Sequence, residues 1–550
     1  MVYSLHHSIR IGLIIFLFFF FIIPGISQER YDKDLSRADF LRGYLNEFRS
    51  CFDVQYYDLS VRVRPQQQAI TGYNTIHLEA IGDFDRIQLD LFSNMAIDSV
   101  VYDGQLLPFE RELNAFFIGF PILIRQGSEI SLTIYYHGIP VKAKHPPWDG
   151  GFVWSRDSLH RNWIGVSCQG IGASLWWPNK DHLSDRPEGM RISLEVPEGL
   201  KGISNGKLQE VVPLQDGYNR WIWEVTYPIN NYNVSINVGE YAHIRDSFDG
   251  LDGRLNLDYY VLDYNRDKAA EQFRQVQPMF TSYEKFFGPY PFYRDGYKLI
   301  ETPYYGMEHQ SGIAYGNDFR NNEYDFDYII IHESGHEYWG NCISIQDLGE
   351  LWVHESFTTY MESLFMEYFH GKQVALNYLS DQRLNIENMN PMLGPLNVNY
   401  DNWIDTDIYY KGTWMLHSIR NTVNNDSIWF NLLHNTFQHF KYKSVTSSEI
   451  VAYINAGTEY DLMPVFDHFL TRNNAPVLRI REKRKKDHIK LVYSWDGVGR
   501  DFNMPAEIHT ESETLRIFPA ARKQKKNLPP ESGQQLNYYS DLFYYELNRK

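Results

Sequence analysis

Two histidines four residues apart, with a glutamate beside the first, are the side chains of this sequence best placed to do chemistry: His332-Glu333-Ser334-Gly335-His336. On a helix, residues four apart share a face, so both imidazoles can bind one cation. Glu333 can reach a water at that cation without ligating it, the arrangement of a metal-assisted hydrolysis. A catalytic zinc takes three protein ligands and keeps a fourth position open, so a third donor is needed. Spacing alone leaves that donor open among Glu337, Glu350, Glu355 and Glu362. Glu355 follows His336 after eighteen intervening residues, in a segment with helical periodicity of its own, and a helix–loop–helix could return it to the pair.

His-Glu-x-x-His, eighteen residues, then Glu in a Trp-x-x-Glu-x-Phe setting resembles the gluzincin family of aminopeptidase N and leukotriene hydrolase. Two further motifs stand in the family's order. Tyr305-Gly306-Met307-Glu308-His309 is similar to the family's Gly-Ala/Gly-Met-Glu-Asn, and Ile408-Tyr409-Tyr410-Lys411-Gly412 to its Val-Tyr-x-Lys-Gly. Weaker landmarks are Gly288-Pro289-Tyr290-Pro291-Phe292 and Asn231-Tyr232-Asn233-Val234, and the likeness runs over about residues 50–472.

The resemblance implies a zinc aminopeptidase holding one Zn2+ per chain on His332, His336 and Glu355, with Glu333 as general base. It makes Tyr409 the hydrogen-bond donor to the oxyanion. It makes Glu308, on the Gly306-Met307 segment that contacts substrate, the partner of a peptide's free α-amine. Gln169 resembles the N-domain Glu or Gln that assists with the amine. His309 in place of Asn and Ser356 in place of Gly depart from the family pattern. Cys342, His354 and His309 lie near the motifs, but the His-His-Glu set already fills a catalytic zinc site. Two other readings share these residues: a zinc endopeptidase with an open cleft, against which Glu308 argues, and an exported binding protein on a decayed scaffold, against which the intact ligands and base argue.

The elements that must position these groups follow from periodicity. Apolar residues alternate from Phe52 to about Tyr241, as in 57–64 and 76–80, and turn signals such as Asp103-Gly104 separate the runs, which predicts an all-β domain. Helical patterns follow at 269–287, 326–340, 353–369, 409–423 and 426–440, with a strand at 296–303. After Arg472 the period returns to two, and the basic run 481–486 reads as a solvated strand edge. The expected fold is multidomain α+β. It comprises an N-terminal all-β domain (28–245), a thermolysin-like α/β catalytic domain (246–472) and a short C-terminal β-sandwich (473–550).

Composition bounds the function. With 43% hydrophobic and 22% charged residues, a large core is available and global disorder is excluded. The net charge of −17 disfavours nucleic acid and anionic membrane surfaces as partners. Aromatics at 16% suit wide β-sheet cores or stacking platforms for sugars. Three cysteines allow at most one intramolecular disulfide. Arg10 precedes the apolar run 11–23 and Pro24-Gly25-Ile26-Ser27, too short for the roughly 20 residues of a stable span. It fits a secretory signal at 1–27, cleaved near Ser27 to give a periplasmic or secreted chain, or kept as a membrane tether.

Overall fold

The alternation along 52–80 builds two long antiparallel strands, Phe52–Arg64 and Ala69–Ala80, whose inward residues Leu59, Val61, Ile76 and Leu78 are fully buried. The computed structural model describes residues 35–400, 404–510, 513–529 and 536–549; the expected export signal lies outside them. The two strands centre an eight-stranded sheet that reaches from Lys207–Pro213 at one edge to Gln105–Leu106 at the other, with Phe52–Arg64 parallel to Gly189–Pro197. A three-stranded and a four-stranded sheet complete the N-terminal sheet-rich domain around one core. That core takes in Tyr304, Met307 and Ala314, so the segment carrying Glu308 packs directly on the N-terminal sheets.

A five-stranded mixed sheet follows, ordered Tyr241–Gly250, Gly253–Leu262, Tyr297–Glu301, Ile313–Tyr315, Gly306–Met307. The 245/246 division read from periodicity falls inside its first strand. Its last strand, Gly306–Met307, forms the edge by pairing antiparallel with Ile313–Tyr315. Helices then dominate, as a helical region holding the His-Glu constellation. Tyr328–Gly335, Trp352–His370, Tyr410–Val423 and Asp426–Phe440 correspond to expected helices, while Lys372–Arg383, Ser447–Ala456 and Met463–Thr471 are additional. A C-terminal sheet domain orders Gln524–Leu528, Ile489–Asp496, Val477–Arg484 and Glu546–Arg549 in one four-stranded sheet, beside a separate two-stranded hairpin. Its core is continuous with that of the helical region. The three cysteines are free, and among the described residues no helix is long and apolar enough to cross a membrane.

One difference from the periodic pattern matters for the site. The expected 326–340 helix stops at Gly335, leaving His336 at the C-cap. Beyond it the chain tightens through Gly340, at φ +139°, with Gly340 N–H donating to Ile343 O and Asn341 N–H to His336 O.

Two helices approach each other closely where Gly412 faces Ser356. A Cβ at 412 would stand 1.7 Å from Ser356 Oγ and 2.5 Å from its Cβ. The same hydroxyl donates to Ile408 O at 2.7 Å, just ahead of Tyr409. Overpacking costs roughly 1–3 kcal/mol, against about 1 kcal/mol of helix propensity that alanine gains over glycine. Gly412→Ala is therefore expected to lower the thermal unfolding midpoint. An unchanged midpoint in calorimetry would show that Ser356 gives way without cost.

Candidate active site

The helix Tyr328–Gly335 starts at Asp327, whose Oδ1 accepts from Ile329 N–H at 3.1 Å, and it buries Ile329, Ile330 and Ile331 completely. That burial turns His332 and His336 toward one point. The helix Trp352–His370 brings Glu355 there in its first turn, where a helix N-terminus favours negative charge. His332 Nε2 and His336 Nε2 are 3.2 Å apart, and Glu355 Oε2 lies 3.6 Å and 3.3 Å from them. Zinc–nitrogen bonds of about 2.0–2.1 Å in a tetrahedron set ligand atoms roughly 3.3 Å apart, so the three atoms already stand at the spacing of a zinc site.

Proton placement makes the same point. His332 Nδ1 contacts Glu362 Oε1 at 2.6 Å, and His336 Nδ1 contacts Trp339 O at 3.0 Å. Carboxylate and carbonyl only accept, so each ring presents Nδ1–H to its partner and turns Nε2 toward the shared point, the tautomer that ligates a metal. Glu355 Oε2 is buried without a hydrogen-bond partner. Three ligand atoms thus converge on one point, and His332, His336 and Glu355 form a group able to hold one metal ion.

Glu362, weighed on spacing alone as a third ligand, instead sits two turns beyond Glu355 behind His332. Its second oxygen accepts from Tyr378 OH and, at 3.1 Å, from Gln382 Nε2. Glu337 and Glu350 lie outside the ligand set. Glu337 accepts from Tyr290, Ser311 and Asn341, and Glu350 accepts from Ser447 N–H at 2.6 Å.

Glu333 leans against the sheet edge. A Cβ at Gly306 would meet its Oε1 at 2.8 Å, so glycine there leaves room for the carboxylate. Burial pushes the Glu333 carboxyl up from its ordinary value. Tyr409 stands at the N-cap of Tyr410–Val423, its ring 6.0 Å from that of His332. Burial, then the charges of Glu355, Glu308 and Glu333, raise its phenol well above the ordinary range, so it remains a donor. Tyr410 instead feels Glu362 and Tyr305.

Glu308 is buried, within electrostatic reach of His336 and Glu355, with Met307 buried beside it. Its Oε1 accepts from Gln169 Nε2 at 2.6 Å and from Tyr232 OH at 3.1 Å. The structure thus brings Gln169 to Glu308. Sequence reasoning assigned no role to Tyr232 or to Glu362; Asn231-Tyr232-Asn233 had registered as a landmark, and Glu362 repeats the Glu355 face after two turns. His309 and His354 are fully buried with both ring nitrogens unpartnered, and burial lowers each to about 3.

Residues 275–469 match the peptidase family M1 domain. The chain is 22% identical over 521 residues to aminopeptidase N of Lactobacillus helveticus, covering 86% of this chain and 57% of that one. It is 22% identical over 277 residues to aminopeptidase B of Mus musculus, covering 47% of this chain and 41% of that one. The chain thus spans about half the length of these curated relatives. Among solved structures, an M1 zinc metallopeptidase from Deinococcus radiodurans superposes with a TM-score of 0.65 at 19% identity, over 77% of this chain and 95% of the other. A two-domain M1 zinc metallopeptidase bound to L-tryptophan gives the same TM-score and coverage.

The carboxylate behind His332 yields a direct expectation. Removing such a partner of a ligating histidine typically costs about 10–100-fold in metal affinity. Glu362→Ala should weaken zinc retention by that factor in a chelator competition, and Tyr378→Phe by less. Unaltered zinc affinity in Glu362→Ala would show that His332 needs no such support.

Proposed function

Proceeding from a chain that is a relative of the gluzincin aminopeptidase N family, with its M1 domain at residues 275–469, we propose that it is an exported zinc aminopeptidase that removes N-terminal residues from peptides. The observation that carries this reading is the buried Glu308 carboxylate, held by Gln169 and Tyr232 beside the His332–His336–Glu355 cluster. A carboxylate so placed pairs with a charged amine and has nothing to offer a blocked one. The apolar leader at 1–27 supports export, with the β-domain at 28–245, the catalytic domain at 246–472 and the C-terminal sandwich at 473–550 following it.

His332, His336 and Glu355 would hold the metal, which when bound would supply Lewis acidity for the scissile carbonyl and for a water. Glu333 serves as the general base, accepting a proton from the attacking water and passing it to the leaving amine. Tyr409 donates a hydrogen bond from its hydroxyl to the developing oxyanion and keeps its proton. Glu308 accepts from the substrate ammonium and, through Gln169, keeps one carboxylate oxygen oriented toward it. Gly306 and Met307 form the adjoining strand edge, a surface along which substrate backbone can lie.

Two expectations follow from these roles. A charge-assisted hydrogen bond contributes roughly 1.5–3 kcal/mol, or about 10- to 150-fold in kcat/KM. Glu308→Ala should lose that factor on free aminoacyl reporters and change little on N-acetylated ones, whereas equal, small losses on both would make Glu308 a mere rim carboxylate. Glu333→Ala should keep about one zinc per chain yet lose about 10²–10⁴-fold in turnover, and Tyr409→Phe about 10²–10³-fold. A defect in Tyr410→Phe together with near-normal Tyr409→Phe would transfer the oxyanion role to the neighbouring tyrosine.

A further inference from the structure

Glu308 sits on a turn with little backbone hydrogen bonding of its own. His309 N–H reaches Met307 O at 2.9 Å and Gly312 N–H reaches His309 O at 2.9 Å. Two backbone carbonyls of the turn are held from outside. Asn233 Nδ2 and Asn341 Nδ2 donate to Glu308 O at 2.9 and 2.8 Å, and Asn205 Nδ2 donates to Gln310 O at 2.7 Å. Ser311 adopts φ +53°, a left-handed conformation that non-glycine residues seldom take. Something must hold it there.

What holds it is the residue directly after His336. Ser311 N–H donates to Glu337 Oε1 at 2.9 Å and Oε2 at 3.2 Å. Asn341, which grips Glu308 O, also donates to Glu337 Oε1 at 2.9 Å, and Tyr290 OH donates to Oε2 at 2.6 Å. Glu337 is fully buried, and among the described residues no ion pair joins it. A carboxylate buried without a direct ion pair, with Lys298 only within electrostatic reach, is costly unless hydrogen bonds replace its water. Here two of its three donor groups belong to, or grip, the turn that carries Glu308.

We propose that Glu337 is a positioning residue for Glu308, acting through Ser311 and Asn341, so that the end of the metal-binding helix also fixes the amine-binding carboxylate. The proposal rests on the aminopeptidase reading above, and it concerns Glu337 itself, since Asn341 also touches Glu308 O directly. It makes selectivity for a free amino terminus depend on a residue that touches neither substrate nor metal.

A double-mutant cycle tests it. Glu337→Ala in the otherwise intact enzyme should lower kcat/KM on a free aminoacyl reporter about 10-fold or more, mainly through KM, and leave the N-acetylated reporter nearly unchanged. In a Glu308→Ala background the same change should move kcat/KM by less than about 3-fold. Glu337→Gln, which keeps the shape and one acceptor, should restore most of the activity. Each variant should retain about one zinc per chain. Independent, multiplying losses, or zinc lost from Glu337→Ala, would overturn the proposal, because Glu337 would then act through His336 or the fold. If Glu337→Ala does not fold, Asn341→Ala carries the same cycle with the same two outcomes. Wild-type enzyme indifferent to acetylation would overturn the underlying reading and this proposal with it, and that single measurement tells the two failures apart.

Discussion

Three ligand atoms meet at one point: His332 Nε2, His336 Nε2 and Glu355 Oε2, within 3.6 Å of one another. Two imidazoles and a carboxylate at that spacing match the donor set and geometry of a zinc site. Much of the surrounding structure serves to keep them there. The helix carrying both histidines ends at Gly335, and the turn beyond it supplies Trp339 O to orient His336. A second helix contributes Glu355 from its first turn and Glu362 from two turns later, so the same rigid rod sets a ligand and the carboxylate that orients another.

Charge balance links metal to substrate. Glu333, Glu355 and Glu308 act on one another and on Tyr409 in a largely buried space. Under the proposed function, a bound zinc would offset two of these carboxylates and a peptide ammonium the third, whereas a blocked terminus would leave one uncompensated in a medium where that is expensive. Discrimination by the amine would then be an electrostatic property of the whole cluster as well as of one hydrogen bond. Its geometric side rests on the turn at 307–312, which is supported by side chains from the N-terminal sheets (Asn205, Asn233) and from the helix end (Asn341, Glu337).

Much of this was legible in the residues. The His-Glu-x-x-His string announced a metal site, the family resemblance singled out Glu355 among the nearby glutamates, and the strand alternation announced the N-terminal sheets. What escaped has physical reasons. The stop at Gly335 depends on backbone contacts beyond it, with Gly340 at positive φ, and an apolar pattern running on to Trp339 conceals it. The helix Lys372–Arg383 clusters its apolar residues at 374–376 and 378–379 with polar residues at both ends, so its periodicity is faint, yet it delivers Tyr378 and Gln382 to Glu362. The helix Ser447–Ala456 did carry a signal, the Thr446-x-x-Glu449 capping box. Glu337 gave none: beside a zinc ligand it reads as one more acidic residue, and only the fold brings Ser311 to it.

The most direct measurement is mass-spectrometric product analysis of one unlabelled peptide, free or N-acetylated, incubated with the zinc-loaded protein and with a chelator-treated sample. Stepwise loss of N-terminal residues from the free peptide alone, abolished by the chelator and restored by zinc, is the expected result. Internal cleavage of both peptides at similar rates, or trimming that survives removal of the metal, would contradict it.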